Sequence, residues 1–162
     1  MDEMFKNYSQ MVFRYLVGLC RNEDLAEELM QETFYQAVKS INRYDGTCKP
    51  STWLCQIAKH MWLRELKRRN NLSDEELDEN MFPIVDSPEE QISDRQDMLS
   101  LLRKIHTLSP EAKEVVLLRL NGDLSFKEIG ECIMGRSESW ARVTYYCAKS
   151  KLKEMVSDEN EM

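Results

Sequence analysis

Arg142, Tyr146, Lys149 and Lys153 recur at helical spacing near the end of the chain. Three cations and one aromatic ring on a single stripe suit nucleic acid: a guanidinium can reach a base edge or a phosphate, and lysines neutralise phosphates. A second basic set, Lys59, His60, Arg64, Lys67, Arg68 and Arg69, shares its segment with Trp53 and Trp62. Basic side chains follow a phosphate backbone and aromatic faces stack on exposed bases, so this set suits separated or single-stranded DNA. A third set is acidic and polar: Asp24, Glu28, Gln31 and Tyr35 fall roughly on one helical face, whose charge complements a basic partner surface. An ordinary solvated face competes with each reading, because amphipathic helices are common.

Catalytic chemistry is not indicated. The 162 residues offer no convincing nucleophile, metal constellation or phosphate-cradling glycine loop. The cysteines (Cys20, Cys48, Cys55, Cys132, Cys147) form no CxxC pair and join no histidine cluster. Cys55 with His60 is the nearest approach to a ligand pair, so neither metal nor cofactor is expected. An odd cysteine count without a disulfide framework fits a reducing cytosol. The amino-terminal MDEMFKNY lacks an apolar signal core, and no apolar run is long enough to span a bilayer. The expectation is a cytoplasmic protein without membrane insertion.

The elements that must position these sets are helical. Glycine and proline are few, at 5 and 4, and β-branched alternation is scarce, so an all-α protein is expected. Phe5, Tyr8, Val12, Tyr15, Leu16 and Leu19 define a first helix over about 3–20. Ala26, Met30, Phe34, Val38 and Ile41 give the next helix an inner stripe opposite its acidic face. After the break at Arg43, Tyr44, Asp45 and Gly46, Ser51 or Thr52 is expected to cap a long helix running to about Arg69, with Leu54, Ile57, Ala58, Met61 and Leu66 inward.

From Asn70 to Ser93 there is no lysine or arginine, while eight acidic residues gather around Pro83 and Pro88. By composition this is a linker. It divides the chain into helical modules at 1–69 and 94–162. The formal net charge is -7, but the segregation of acidic from basic residues outweighs the sum. Ile92, Leu99, Leu102 and Ile105 open the second module. Ser109 and Pro110 then start a helix with Val115, Val116, Leu118 and Leu120 apolar and Asn121-Gly122 as its stop. His106 reads as a surface or helix-end histidine.

Ser125 and Glu128 have the spacing of a capping box, Phe126 to Met134 form a short helix, Gly135 ends it and Ser137 caps a longer one. Ala141, Tyr145, Ala148 and Leu152 would pack against Ile129 and Ile133, leaving the Arg142 stripe outward. This is a helix-turn-helix whose second helix carries the basic face, the arrangement that enters a major groove.

The order of parts resembles the bacterial RNA polymerase sigma factors of the extracytoplasmic-function group over nearly the whole chain. AEELMQETF (Ala26 to Phe34) resembles the family's polymerase-binding segment, and STWLCQIAKH (Ser51 to His60) its promoter-melting helix. LSPEAKEVVLLRLNGDLSFKEIGECIMGRSESWARVTYY resembles its carboxy-terminal domain. The resemblance implies core polymerase and promoter DNA as partners, an anti-sigma factor as a further one, and a monomer outside the holoenzyme. It implies polymerase contacts from Asp24, Glu28, Gln31, Glu32 and Tyr35. Arg43, Tyr44, Trp53, Lys59, His60, Trp62, Arg64, Lys67 and Arg68 would serve the minus-ten element, with a flipped base held near His60. Arg136, Ser137, Ser139, Arg142, Tyr146, Lys149 and Lys153 would serve the minus-thirty-five duplex. Three positions depart from the family: His60 replaces its usual asparagine, Arg64 an aspartate, and Cys147 an arginine, where Lys149 and Lys151 are available as substitutes. A free-standing dimeric helix-turn-helix regulator and a helical interaction protein with solvated basic faces are the rival readings.

Overall fold

A computed structural model describes residues 2–72, 100–120 and 124–160. The acidic linker expected over 70–93, apart from its first residues, lies outside them, as do Ile92, Leu99 and the Asn121-Gly122 stop. Among the described residues there are helices and irregular segments and no strands. The chain divides into two compact units.

The first unit is built on α1 (Asp2–Cys20), α2 (Glu23–Ser40) and α3 (Pro50–Leu72), each packed on the other two. Val12, Tyr15 and Leu16 of α1, Ala26 of α2, and Leu54 and Ala58 of α3 are fully buried in its core. Between α1 and α2, Arg21 takes a left-handed φ of 58° and donates its N–H to the Val17 carbonyl at 2.8 Å. Asn22 then turns extended and accepts the Leu25 N–H on Oδ1 at 3.1 Å, a side-chain cap that satisfies a free donor of the new helix.

Two expectations change here. The inner stripe of α2 consists of Leu25, Ala26, Leu29, Thr33, Phe34 and Ala37, while Val38 is 50% and Ile41 38% exposed. Successive steps of four residues drift about 40° each around a helix, so a stripe written 26, 30, 34, 38 rotates out of the core. Alternating steps of three and four hold the face. Thr33 is admitted to the interior because its hydroxyl donates to the Leu29 carbonyl at 2.7 Å. The second change is at α3, which begins at Pro50, where a missing N–H costs nothing. Ser51 and Thr52 therefore stand inside its first turn, buried rather than capping. The helix runs on to Leu72, beyond the expected end at Arg69.

The second unit contains α4 (described over 100–106), α5 (Pro110–Leu120), a short segment with π-helical winding (Glu128–Met134) and α6 (Glu138–Asn160). Ser109 caps α5 by accepting the Ala112 N–H at 3.3 Å. Val115 to Leu118 are buried and Leu120 is exposed. His106, at the end of α4, is half-buried. Ile105, Leu124, Ile129 and Ala141 are completely enclosed and form the centre of the unit.

The helix expected over Phe126 to Met134 starts as α and widens into π turns from Glu128. Ser125 caps it as expected, accepting the Glu128 N–H on Oγ at 3.1 Å. The Glu128 carboxylate accepts from the Ser125 hydroxyl at 3.1 Å, so the reciprocal bond is between side chains. Gly135 is left-handed, with φ 66° and ψ 30°, and its N–H and that of Arg136 converge on the Gly130 carbonyl. Gly130 carries a further constraint: a Cβ there would stand 2.4 Å from the Ser137 carbonyl oxygen. Only glycine lets the turn fold back this closely.

Candidate nucleic-acid interface

Ser137 accepts the Trp140 N–H on Oγ at 3.0 Å and its carbonyl takes the Ala141 N–H at 3.2 Å, which fixes where α6 starts. Ala141 and Ala148 mark the inward face, with Tyr145 and Leu152 half-buried beside them. Arg142, Tyr146, Lys149 and Lys153 are all exposed, as the spacing implies. At about 100° per residue, however, the three basic members lie on one flank of the helix. The residues pointing away from the core are Ser139, Val143, Tyr146 and Ser150, followed by Glu154. Lys151, also exposed, lies on the opposite flank. Of the remaining expected residues at this face, Arg136 and Ser137 are exposed in the turn, with Arg136 5.4 Å over the Trp140 ring and 3.5 Å from Glu111.

Arg142 is held from two sides. Its Nη2 donates to Glu138 Oε1 at 3.0 Å, and its guanidinium carbon lies 5.6 Å from the centroid of the Phe126 ring. Phe126 also meets Tyr145 and Tyr146 at 5.5 and 6.0 Å, so one buried ring orients several side chains of α6. Arg119, absent from the expected set, lies 4.3 Å over the same ring and donates to the Leu124 carbonyl at 2.8 Å. Its exposed guanidinium adds positive charge to this face, and nothing in its sequence surroundings, the end of an apolar helix, marks it out. An apolar groove of about 470 Å³ is lined in part by Leu101, Val116, Leu152 and Val156, with Lys149 and Lys153 also on its lining.

On α3 of the first unit, His60, Arg64, Lys67 and Arg68 are exposed and Lys59 is half-buried. Trp53 is half-buried and stacked on Tyr44, with ring centroids 4.7 Å apart and 27° between planes. The Tyr44 hydroxyl donates to the Cys48 carbonyl. Asp45 accepts from the Thr47 N–H at 3.0 Å and hydroxyl at 2.8 Å, and Gly46 supplies a left-handed φ of 77°. These bonds to Thr47 hold the Asp45 carboxyl below its usual range. The loop before α3 is thus shaped by its own hydrogen bonds, and Arg43 is exposed just ahead of it.

Trp62 stands apart from this face. It is half-buried, two residues past His60 and so about 200° around the helix, on the side of Ala58 and Met61. Arg68 and Arg69 both bind Glu65, at 2.7 and 2.9 Å. Cys55 and His60 are likewise separated: burial pushes the Cys55 thiol up to about 12, and His60 is in solvent.

Asp24, Glu28, Gln31, Glu32 and Tyr35 of α2 are all exposed. Asp24, Glu28, Gln31, Tyr35 and Val38 alternate steps of four and three residues, giving a narrow straight stripe suited to a partner helix. It is acidic at its start and apolar at its end.

Residues 4–71 match the sigma-70 region 2 family. The chain is 28% identical to the ECF RNA polymerase sigma factor SigM of Bacillus subtilis, over 98% of each chain. It is 26% identical to the RNA polymerase sigma factor YlaC of the same organism, over 99% of this chain and 94% of the relative. Among solved structures, the sigma factor RpoE of Bartonella quintana, in complex with the anti-sigma factor NepR, has a TM-score of 0.80 at 17% identity over 96% of each chain. That likeness is one of fold. The family match falls within the first unit and the two relatives align along nearly the whole chain, so the chain is similar to extracytoplasmic-function sigma factors through both units.

Proposed function

We propose that this protein binds core RNA polymerase and directs it to a specific class of promoters. Its correspondence to sigma factors along the whole length carries the reading. The side chains support the assignment of parts. The acidic stripe of α2 is the polymerase contact. The loop from Arg43 to Lys49 and the exposed face of α3, with Trp53, His60, Arg64 and Lys67, handle the minus-ten element as single strand, Trp62 supporting from the inner side. The turn before α6 and its outward face read the minus-thirty-five element as duplex. The acidic stretch over 70–93 joins the two modules, 1–69 and 94–162. The chain itself performs no catalysis, and it works in the cytoplasm, where its polymerase is. An anti-sigma factor that covers the polymerase- and DNA-binding faces is the remaining proposed partner, and the protein is a monomer outside the holoenzyme. A dimeric regulator would account for the helix-turn-helix but leaves the α2 stripe and the α3 face without a task.

The direct test is capture with core polymerase followed by transcription from genomic DNA. Copurification and new start sites that require the protein are the expected result. A protein that ignores polymerase and footprints DNA alone as a dimer would overturn the reading. Holoenzyme carrying Arg142→Ala should lose about 1–3 kcal/mol at the upstream element if the guanidinium reads a base, or show a lower salt slope with little sequence effect if it binds phosphate.

A further inference from the structure

Val143 is the most exposed large apolar side chain among the described residues, at 62%. Folding gives no reason for it: a β-branched residue on the solvent side of a helix is a weaker helix former than alanine and gains nothing from burial. Its position is informative. It stands two residues past fully buried Ala141, about 200° around α6 and therefore facing away from the core. Ser139 and Ser150 share that line and Tyr146 borders it, while Arg142, Lys149 and Lys153 lie to one side and Lys151 to the other. A helix in a major groove meets base edges along its outermost line and phosphates on both shoulders. Over its first turns α6 has that layout, with an uncharged line from Ser139 to Ser150 between Arg142 and Lys149 on one side and Lys151 on the other, and exposed Glu154 ends the line. Of the groups displayed in the major groove, the C5-methyl of thymine is the one matched by an apolar side chain.

Resting on the reading of α6 as the duplex-recognition helix, we propose that Val143 is a specificity-determining residue that packs on a thymine methyl group in the upstream promoter element. The contact selects a T·A pair at that position. It adds sequence information without charge, alongside Arg142, which Glu138 and Phe126 hold one residue away.

The test uses holoenzyme and promoter duplexes recovered by transcription from genomic DNA, with the thymines of the upstream element replaced one at a time by deoxyuridine, which lacks only the methyl group. Wild-type occupancy should fall roughly fourfold at one position, the transfer free energy of one buried methyl-sized group. Val143→Ala should lower affinity for the natural promoter to a similar degree and lose its sensitivity to deoxyuridine at that position. Val143→Ala is on the surface, so its helical content should match wild type, which circular dichroism checks. A wild-type protein indifferent to every deoxyuridine replacement overturns the proposal, as does a Val143→Ala protein that keeps the wild-type sensitivity. Arg142→Ala separates this failure from that of the underlying reading. If it weakens occupancy while the methyl group has no effect, only the role of Val143 is lost. If it too has no effect on occupancy or salt dependence, α6 is not in the groove.

Discussion

Glu65 shows how one side chain governs the charge its neighbours present. Its carboxylate takes hydrogen bonds from Arg68 and Arg69, and the Arg68 bond is the leading cause of a carboxyl held below its ordinary value of 4.5. A folded-state pKa below the unfolded one means that the carboxylate stabilises the fold above the unfolded value, and that this contribution disappears as pH falls through the folded pKa. Glu65→Gln should therefore lower the urea midpoint slightly at neutral pH, by less than about 1 kcal/mol in stability. The gap between the two proteins should close in acid, below the ordinary glutamate range. A gap that persists unchanged to low pH would mean that the ion pairs are not its source. His60 poses a question of specificity instead. It is exposed on the α3 face, and imidazole offers a different set of donors and acceptors from an asparagine amide. His60→Asn should change which base is preferred in a library randomised across the minus-ten element while polymerase binding stays the same. Identical preferences would make His60 an ordinary surface histidine.

At the scale of the element, the turn between the π-wound segment and α6 depends on a residue with no side chain. A methyl group at Gly130 would lie 2.4 Å from one backbone oxygen and 2.8 Å from the carbon that bears it. Backbone cannot yield as the tip of a flexible side chain does, so Gly130→Ala should destabilise the second unit by about 1–3 kcal/mol, the usual cost of overpacking. Hydrogen exchange in the intact protein would show the loss in α5, the π-wound segment and α6, with α1 to α3 unaffected. Normal protection in α6 would mean that the turn can open at little cost. The π winding has a consequence of the same kind. It sets Gly130 and Gly135 so that two N–H groups share one carbonyl, and this fixes where α6 begins.

For the whole molecule, the expected behaviour is division of labour between polymerase contact and DNA contact. The α2 face that carries Glu28, with Glu32 beside the stripe, is solvent-exposed and makes no contribution to the core. Glu28→Lys with Glu32→Lys should weaken association with core polymerase and leave helical content intact, because exposed substitutions seldom cost much stability. Unchanged polymerase affinity in the folded double variant would remove α2 from the interface. The same variant should keep whatever affinity the isolated protein has for duplex DNA, since α6 is untouched.

The sequence by itself determined the helical class, the caps at Ser125 and Ser137 with left-handed Gly135 between them, and the exposed basic stripe of α6. These are local matters, set by side-chain period, capping chemistry and the left-handed freedom of glycine, and they are readable a few residues at a time. The tertiary structure decided what depends on phase around a helix and on approach between elements. Repetition at four residues drew Val38, and Ile41 three residues after it, into an inner stripe that packing against α1 and α3 excludes. The grouping of Trp62 with the basic residues of α3 followed from shared sequence neighbourhood, whereas its angle places it on the inner side. Arg119 could not be found from its neighbours because its tie to the interface is Phe126, a ring supplied by the next helix. Gly130 is required by a carbonyl seven residues later, a contact that exists only once the turn has closed.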